Sequence, residues 1–255
     1  MSRIKKAFEK KAFIAFAVAG DPDVKTSEEI ILEIIRAGAD LIEIGIPFSD
    51  PIAEGPVIQE ASARALASDA TLENIFNMVK DLRSKTEAAL VFLTYLNPVY
   101  KYGADNFFKK CQEIGIDGVI IPDLPYEELG EINKEAQKYS IDIVPFVAPT
   151  SKERIMMTTK DSSGFIYVVS SMGTTGVREK ITTNLDEIVG HIREVSNTPC
   201  AIGFGISTPE QAKKFANIAD GVIVGSAIVR LIGQYGKDCL KPVYDYVKSM
   251  KDAIS

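Results

Sequence analysis

The chain has 255 residues, 46% of them apolar and 25% charged, with three cysteines, one histidine and no tryptophan. A net charge of −6 and a pI near 5.1 weigh against nucleic acid or an anionic lipid surface as the main partner. Cys111, Cys200 and Cys239 are scattered, odd in number and without CxxC spacing, so they read as small buried residues, not as a disulfide or zinc framework. No stretch approaches the roughly 18 apolar residues of a membrane span. A cytoplasmic protein is expected.

The first segment, MSRIKKAFEKK followed by AFIAFAVAG, reads as a short amphipathic helix running into a first strand. The alternative is a secretory leader, with a basic flank, a short apolar run and an A-x-A site. From there the chain alternates short apolar runs with helix-periodic stretches. The runs are 12–20, 41–45, 89–95, 118–123, 142–148, 164–170, 199–205 and 221–226. They are almost continuously hydrophobic, as parallel strands covered on both faces are. The stretches TSEEIILEIIRAG, 74–85, 104–115, 126–139, 185–196 and 209–218 show helical spacing, the first with Thr26 or Ser27 as its expected N-cap and Gly38 as its stop.

Eight strands alternating with helices predict an α/β fold: a single (β/α)8 TIM-barrel domain over 1–255 with an additional N-terminal helix. A doubly wound open sheet is the rival, but the first strand–helix junction, AGDPDVKTSEE, has no GxGxxG. Barrel chemistry sits at the C-terminal strand ends. The polar residues there are Asp21, Glu43, Tyr95, Asn97, Asp123, Ser170 and Ser226.

The sole histidine, His191, falls in a charged helix on the expected outside of the barrel. No serine or cysteine has a histidine partner at a strand end, and clustered metal ligands are absent from the pattern. Proton transfer would therefore fall to carboxylates or tyrosine. Glu43 stands between Ile42 and Ile44 in a strand, so alternation turns it into the lumen near the mouth. An apolar surround raises a carboxylate's pKa, which suits a group that gives and takes a proton; a structural ion pair is the other reading. Glu54 lies in SDPIAEGP, an irregular loop, where an acid is ordinarily solvated. The glycine-bearing strand ends GFGIS (203–207) and GSAIV (225–229), with the loop SSMGTTGVREK (170–180) as a candidate lid, suit a phosphate-bearing ligand.

LIEIGIPFSDPIAEGP resembles the characteristic segment of the tryptophan synthase α subunit, and the likeness extends over most of the chain. FAVAGDP (16–22), TYLNPVYKYG (94–103), GVIIPDLPYEE (118–128), GFIYVVS with GTTG (164–176), GFGIS and DGVIVGSAIV (220–229) carry it. The resemblance implies retro-aldol cleavage of indole-3-glycerol phosphate to indole and glyceraldehyde 3-phosphate, in the last steps of L-tryptophan biosynthesis. It implies Glu43 as the proton shuttle and Glu54 as the carboxylate at the indole N–H. It further implies Gly176, Gly205, Gly225 and Ser226 as phosphate ligands with Thr175 and Phe204 nearby. Phe16, Leu93, Tyr95, Ile120 and Tyr167 would form the apolar indole pocket, and Asp123 would be a supporting polar residue.

A β subunit carrying pyridoxal phosphate is the implied partner in an α2β2 tetramer, with no cofactor and no metal in this chain. Pro47, Asp50 and the segment 171–180 would communicate with that partner. Two departures stand out: the family's usual ADGP is AEGP here, with Glu54 for aspartate, and GVTG is GTTG. If the longer side chain cripples cleavage, the chain is instead an activator of its β partner. A different sugar-phosphate barrel enzyme is what the barrel and phosphate loops alone would permit.

Overall fold

The computed structural model describes residues 2–169, 184–203 and 205–255. Parallel strands run β1 (Ala12–Val18), β2 (Leu41–Gly45), β3 (Ala89–Leu93), β4 (Gly118–Ile120), β5 (Asp142–Val144), β6 (Phe146–Val147), β7 (Ile166–Val169), β8 (Cys200–Gly203) and β9 (Gly221–Val224). Their order is β5-β4-β3-β2-β1-β9-β8-β7-β6. The two ends of this order are consecutive in the chain. They are the halves of the predicted run 142–148, parted at Pro145, which has no N–H to give to a ladder. β5 pairs with β4 and β6 with β7, while the Pro145 carbonyl accepts the Tyr167 amide at 3.0 Å. The nine strands therefore occupy eight barrel positions, a nearly closed TIM barrel.

Strand alternation sorts the core into two layers. Ile14, Leu41, Val91, Ile120, Val144, Tyr167, Ala201 and Ile223 belong to the cluster inside the barrel. Phe13, Ile42, Ile44, Phe92, Val119, Val168 and Val222 face outward to the helices. The N-terminal helix Arg3–Ala7 packs across the barrel's lower end, where Ile4 is fully buried with the inner cluster. Arg3 and Arg83 both bind Asp117 there, at 3.2 and 3.1 Å. The run read as first strand or leader is β1, paired to β2 on one side and β9 on the other.

The helix limits differ from those expected in instructive ways. The helix Val24–Arg36 starts earlier because Asp23, not Thr26 or Ser27, is its cap, accepting the Thr26 amide at 2.9 Å. The stretch 126–139 splits into a 3₁₀ turn, Tyr126–Glu128, and a helix, Gly130–Lys138. Helices Pro56–Ala67, Leu96–Tyr102, Lys152–Thr159, Ser226–Tyr235 and Leu240–Ile254 are additional to the stretches that periodicity predicts. No helix of the described residues is long and apolar enough to cross a membrane.

Candidate active site

Glu43 is the middle of β2, in register with Phe16 of β1 and Val91 of β3. Its neighbours on the same face, Leu41 and Gly45, keep it in the lumen, and it is 1% exposed. Its Oε1 is buried with no hydrogen-bond partner among the described residues. Desolvation pushes its carboxyl up to about 8 from 4.5. The ion-pair reading fails here, since burial alone accounts for the shift and no cation contributes to it.

Two ring–glycine contacts shape the space above Glu43. The Phe16 ring lies over Gly45, where a Cβ would meet its Cζ at 2.6 Å. Across the barrel Tyr167 lies over Gly203, where a Cβ would meet its hydroxyl oxygen at 2.5 Å. Glycine at these inward positions is what allows a large ring on the adjacent strand to lean inward. Tyr167 is itself packed on Phe146, with ring centroids 4.9 Å apart. Burial and the nearby Glu43 carboxyl hold its phenol well above the usual tyrosine range.

Glu54 is not the solvated loop acid that its local sequence suggests: it is only 9% exposed. Gly55 and Pro56 begin the helix Pro56–Ala67 directly after it, and Gln59 in the first turns donates to the Glu54 carbonyl at 2.8 Å. The loop before it is held by Tyr95, whose hydroxyl accepts the Ala53 amide at 3.1 Å. Burial raises the Glu54 carboxyl to about 7, with a hydrogen bond from Tyr95 opposing the rise.

Both carboxylates open into one cavity that communicates with solvent. Phe16, Leu93, Tyr167, Gly205, Gly225 and Ser226 from the sequence reading line it as well. Three others do not. Ile120 is buried in the inner cluster below, and Tyr95 is 2% exposed behind the loop. Asp123 accepts the Leu96 amide at 3.0 and 3.2 Å, supporting the turn after β3. Thr175, Gly176, Phe204 and the segment 171–180 lie outside the described residues.

The remaining strand-end candidates have other partners or places. Asp21 forms a bidentate pair with Arg64, both contacts 2.8 Å, joining the end of β1 to the helix Pro56–Ala67. Asn97 lies in the helix Leu96–Tyr102, and His191 in Leu185–Arg193 away from the cavity. Ser170 lies outside the described residues.

Several wall residues escape the sequence reading. Phe146 and Ile223 share the inward parity of their strands and are legible in principle. Ile58, Pro122, Ile206 and Ala227 sit on helix starts or turns, where periodicity carries no signal. The upper rim meets the first residues of the helix Ser226–Tyr235, and Gly205 there has φ of 76°. The first N–H groups of a helix have no partner within the helix, so such a rim suits an anion.

This geometry can be set beside known proteins. A family model described as tryptophan synthase alpha chain matches residues 2–255. The chain belongs to the tryptophan synthase α chain family. The Thermoanaerobacter sp. X514 α chain is 48% identical over 262 residues, covering all of both chains. That of Lacticaseibacillus casei is 48% identical, covering all of this chain and 96% of its own. A chain of Mycobacterium tuberculosis tryptophan synthase superposes with TM-score 0.91 at 32% identity, covering 99% of this chain and 98% of that one. A chain from the mutually activating α2β2 complex of Pyrococcus furiosus gives 0.87 at 34% identity, covering 94% and 98%. In this family member Glu43 and Glu54 are the only acids among the described residues of the cavity wall.

Proposed function

We propose that this cavity cleaves indole-3-glycerol phosphate to indole and glyceraldehyde 3-phosphate, with Glu43 and Glu54 as its acid–base pair. As a tryptophan synthase α chain, the protein is the lyase subunit in tryptophan biosynthesis. The supporting observation is that two carboxyl groups, one on a strand and one on a loop, are both desolvated and face one apolar cavity, with pKa values near 8 and 7.

At neutral pH Glu43 carries its proton and Glu54 is divided between the two forms. Protonated Glu43 delivers its proton to indole C3, while ionised Glu54 accepts a hydrogen bond from the ring N–H and offsets the positive charge that forms there. The Glu43 carboxylate so produced takes the proton of the glyceryl hydroxyl. As that O–H breaks, the carbonyl forms and the electron pair of the C–C bond returns to the ring. Indole and the aldehyde leave, and Glu43 is again protonated. Phe16, Leu93 and Tyr167 provide the apolar surface for the ring. The amides at Gly205, Gly225 and Ser226 receive the phosphate.

The chain works with a β subunit in an α2β2 assembly in the cytoplasm, the pyridoxal phosphate belonging to that partner. Indole release from indole-3-glycerol phosphate tests the reading, measured for wild type, Glu43→Gln and Glu54→Gln, alone and with β subunit. Turnover in wild type that falls about a hundredfold or more in both variants is expected. No wild-type turnover in any mixture, with β activity still stimulated, overturns the lyase in favour of the activator.

A further inference from the structure

We infer that Tyr95 is a positioning residue for the second carboxylate: its hydroxyl ties the loop 52–54 to the end of β3 and sets where the Glu54 carboxylate lies. The inference rests on the lyase reading of Glu54. It differs from the place in the indole wall that the family resemblance implies for this tyrosine, because Tyr95 stands behind the loop and not on the cavity surface.

Tyr95 follows β3 by two residues and is fully enclosed, its ring 5.2 Å from that of Phe48 on the other side of the same loop. A phenol has one proton to donate and lone pairs to accept with. Here the oxygen accepts the Ala53 amide at 3.1 Å, and the hydroxyl also hydrogen-bonds the next residue's carboxylate, Glu54. One atom thus engages both the loop's backbone and its acid.

The tyrosine is in turn fixed from behind. Both Asp123 oxygens accept the amide of the following residue, Leu96, at 3.0 and 3.2 Å. The ends of β2, β3 and β4 are linked in a row: Asp123 to Leu96, Tyr95 to Ala53, Tyr95 to Glu54. Such a support suits a glutamate, whose extra rotatable bond would otherwise let the carboxylate wander.

The ionisable groups around Glu54 are few. Glu43 on β2 and Tyr167 on β7 line the same cavity, and Tyr95 after β3 hydrogen-bonds Glu54, with Asp123 beyond Tyr95. No Lys, Arg or His is among the described residues lining the cavity. Burial and Glu54 itself push the Tyr95 phenol upward, so it stays neutral and keeps its proton for donation. Losing that donor removes support from the charged form of Glu54 and moves its ionisation to higher pH.

The test is Tyr95→Phe, which keeps the ring and removes the hydroxyl. Steady-state cleavage of indole-3-glycerol phosphate is followed from about pH 5.5 to 9 for wild type, Tyr95→Phe, Glu54→Gln and the double variant, a range that spans the ionisation of both acids. The expected result is a kcat about tenfold lower in Tyr95→Phe with KM changed less than about threefold. The acidic limb of the kcat profile moves up by about half a pH unit or more, because the reaction needs ionised Glu54. In the Glu54→Gln background the same change has less than about a twofold effect, as expected of residues acting through one another. The limb's position is independent of how much of the variant is folded, so partial misfolding does not obscure it.

An unmoved limb, or a loss confined to KM, overturns the positioning role and leaves Tyr95 a packing residue. Wild-type turnover in Glu54→Gln overturns the underlying reading instead, and the two failures are told apart by that single variant.

Discussion

The Phe16 ring rests on the Cα of Gly45, so close that a Cβ on residue 45 would lie 2.6 Å from its Cζ. Phe16 is also the register partner of Glu43, two residues before that glycine. A side chain at 45 therefore has to displace the ring that covers the candidate acid. Gly45→Ala is expected to cost about 1–3 kcal/mol of stability through overpacking and to lower kcat/KM about tenfold or more. Thermal melts and steady-state kinetics check this; restoring kcat/KM by adding Phe16→Leu would identify the ring as the cause.

Glu43 links the site to stability through pH. Its pKa is about 8 in the folded chain against 4.5 for an ordinary glutamate, so the folded form holds a proton that the unfolded chain has released. Stability is full below about pH 4.5 and falls, by roughly 1.4 kcal/mol per pH unit from this group, until about pH 8. Glu43→Gln carries no such proton. Chemical denaturation at about pH 5, 6.5 and 8 should show a shallower loss for the variant than for wild type. Parallel curves would mean that Glu43 is not buried as a neutral acid.

Glu54→Asp introduces the residue that the family resemblance leads one to expect but shortens the side chain by one methylene. Tyr95 and Gln59 hold the loop around the longer acid, so the aspartate carboxylate is drawn away from the tyrosine hydroxyl. The expected change is a decrease in kcat of roughly 10-fold with the fold intact. An increase over wild type, read in the same indole assay, would show that glutamate is the impaired form.

Asp21 offers a contrast, as a strand-end acid engaged by Arg64 at 2.8 Å in two contacts. Arg64→Met leaves the buried carboxylate uncompensated. It should cost roughly 2–3 kcal/mol, reduced from a fully buried pair because Arg64 is partly solvated. The pH profile of kcat should be unchanged, since Asp21 is absent from the cavity wall. A shifted profile would bring Asp21 into the chemistry.

The place of Glu43 is legible from its strand alone, because a strand has only two faces. Once Ile42 and Ile44 pack outward against helices, the residue between them has nowhere to go but the lumen. Glu54 is not legible from its own neighbourhood. Nothing within SDPIAEGP reveals that a tyrosine far along the chain, at the end of another strand, accepts the loop's amide and approaches its acid. The family likeness named both acids, but only packing explains why the second is desolvated.

The split of the run 142–148 has the same kind of cause. Pro145 is visible in the sequence, yet the consequence depends on which neighbours the halves find, β4 before it and β7 after it. Helix starts follow local rules where one residue decides them. Thr208 with Gln211 forms a capping box in the expected helix, whereas Asp23 takes the role expected of Thr26 or Ser27.

By itself the sequence determined the barrel, the order of its strands with the helices that show clear periodicity, and the inward face of Glu43. These follow from hydrophobic periodicity, which is a property of short segments. Only the tertiary structure decided that Glu54 is a buried acid, that Tyr95 stands behind it, and that Phe16 and Tyr167 lean over glycines to enclose the site. Desolvation and hydrogen bonding there depend on residues distant in the chain, and folding is what sets those distances.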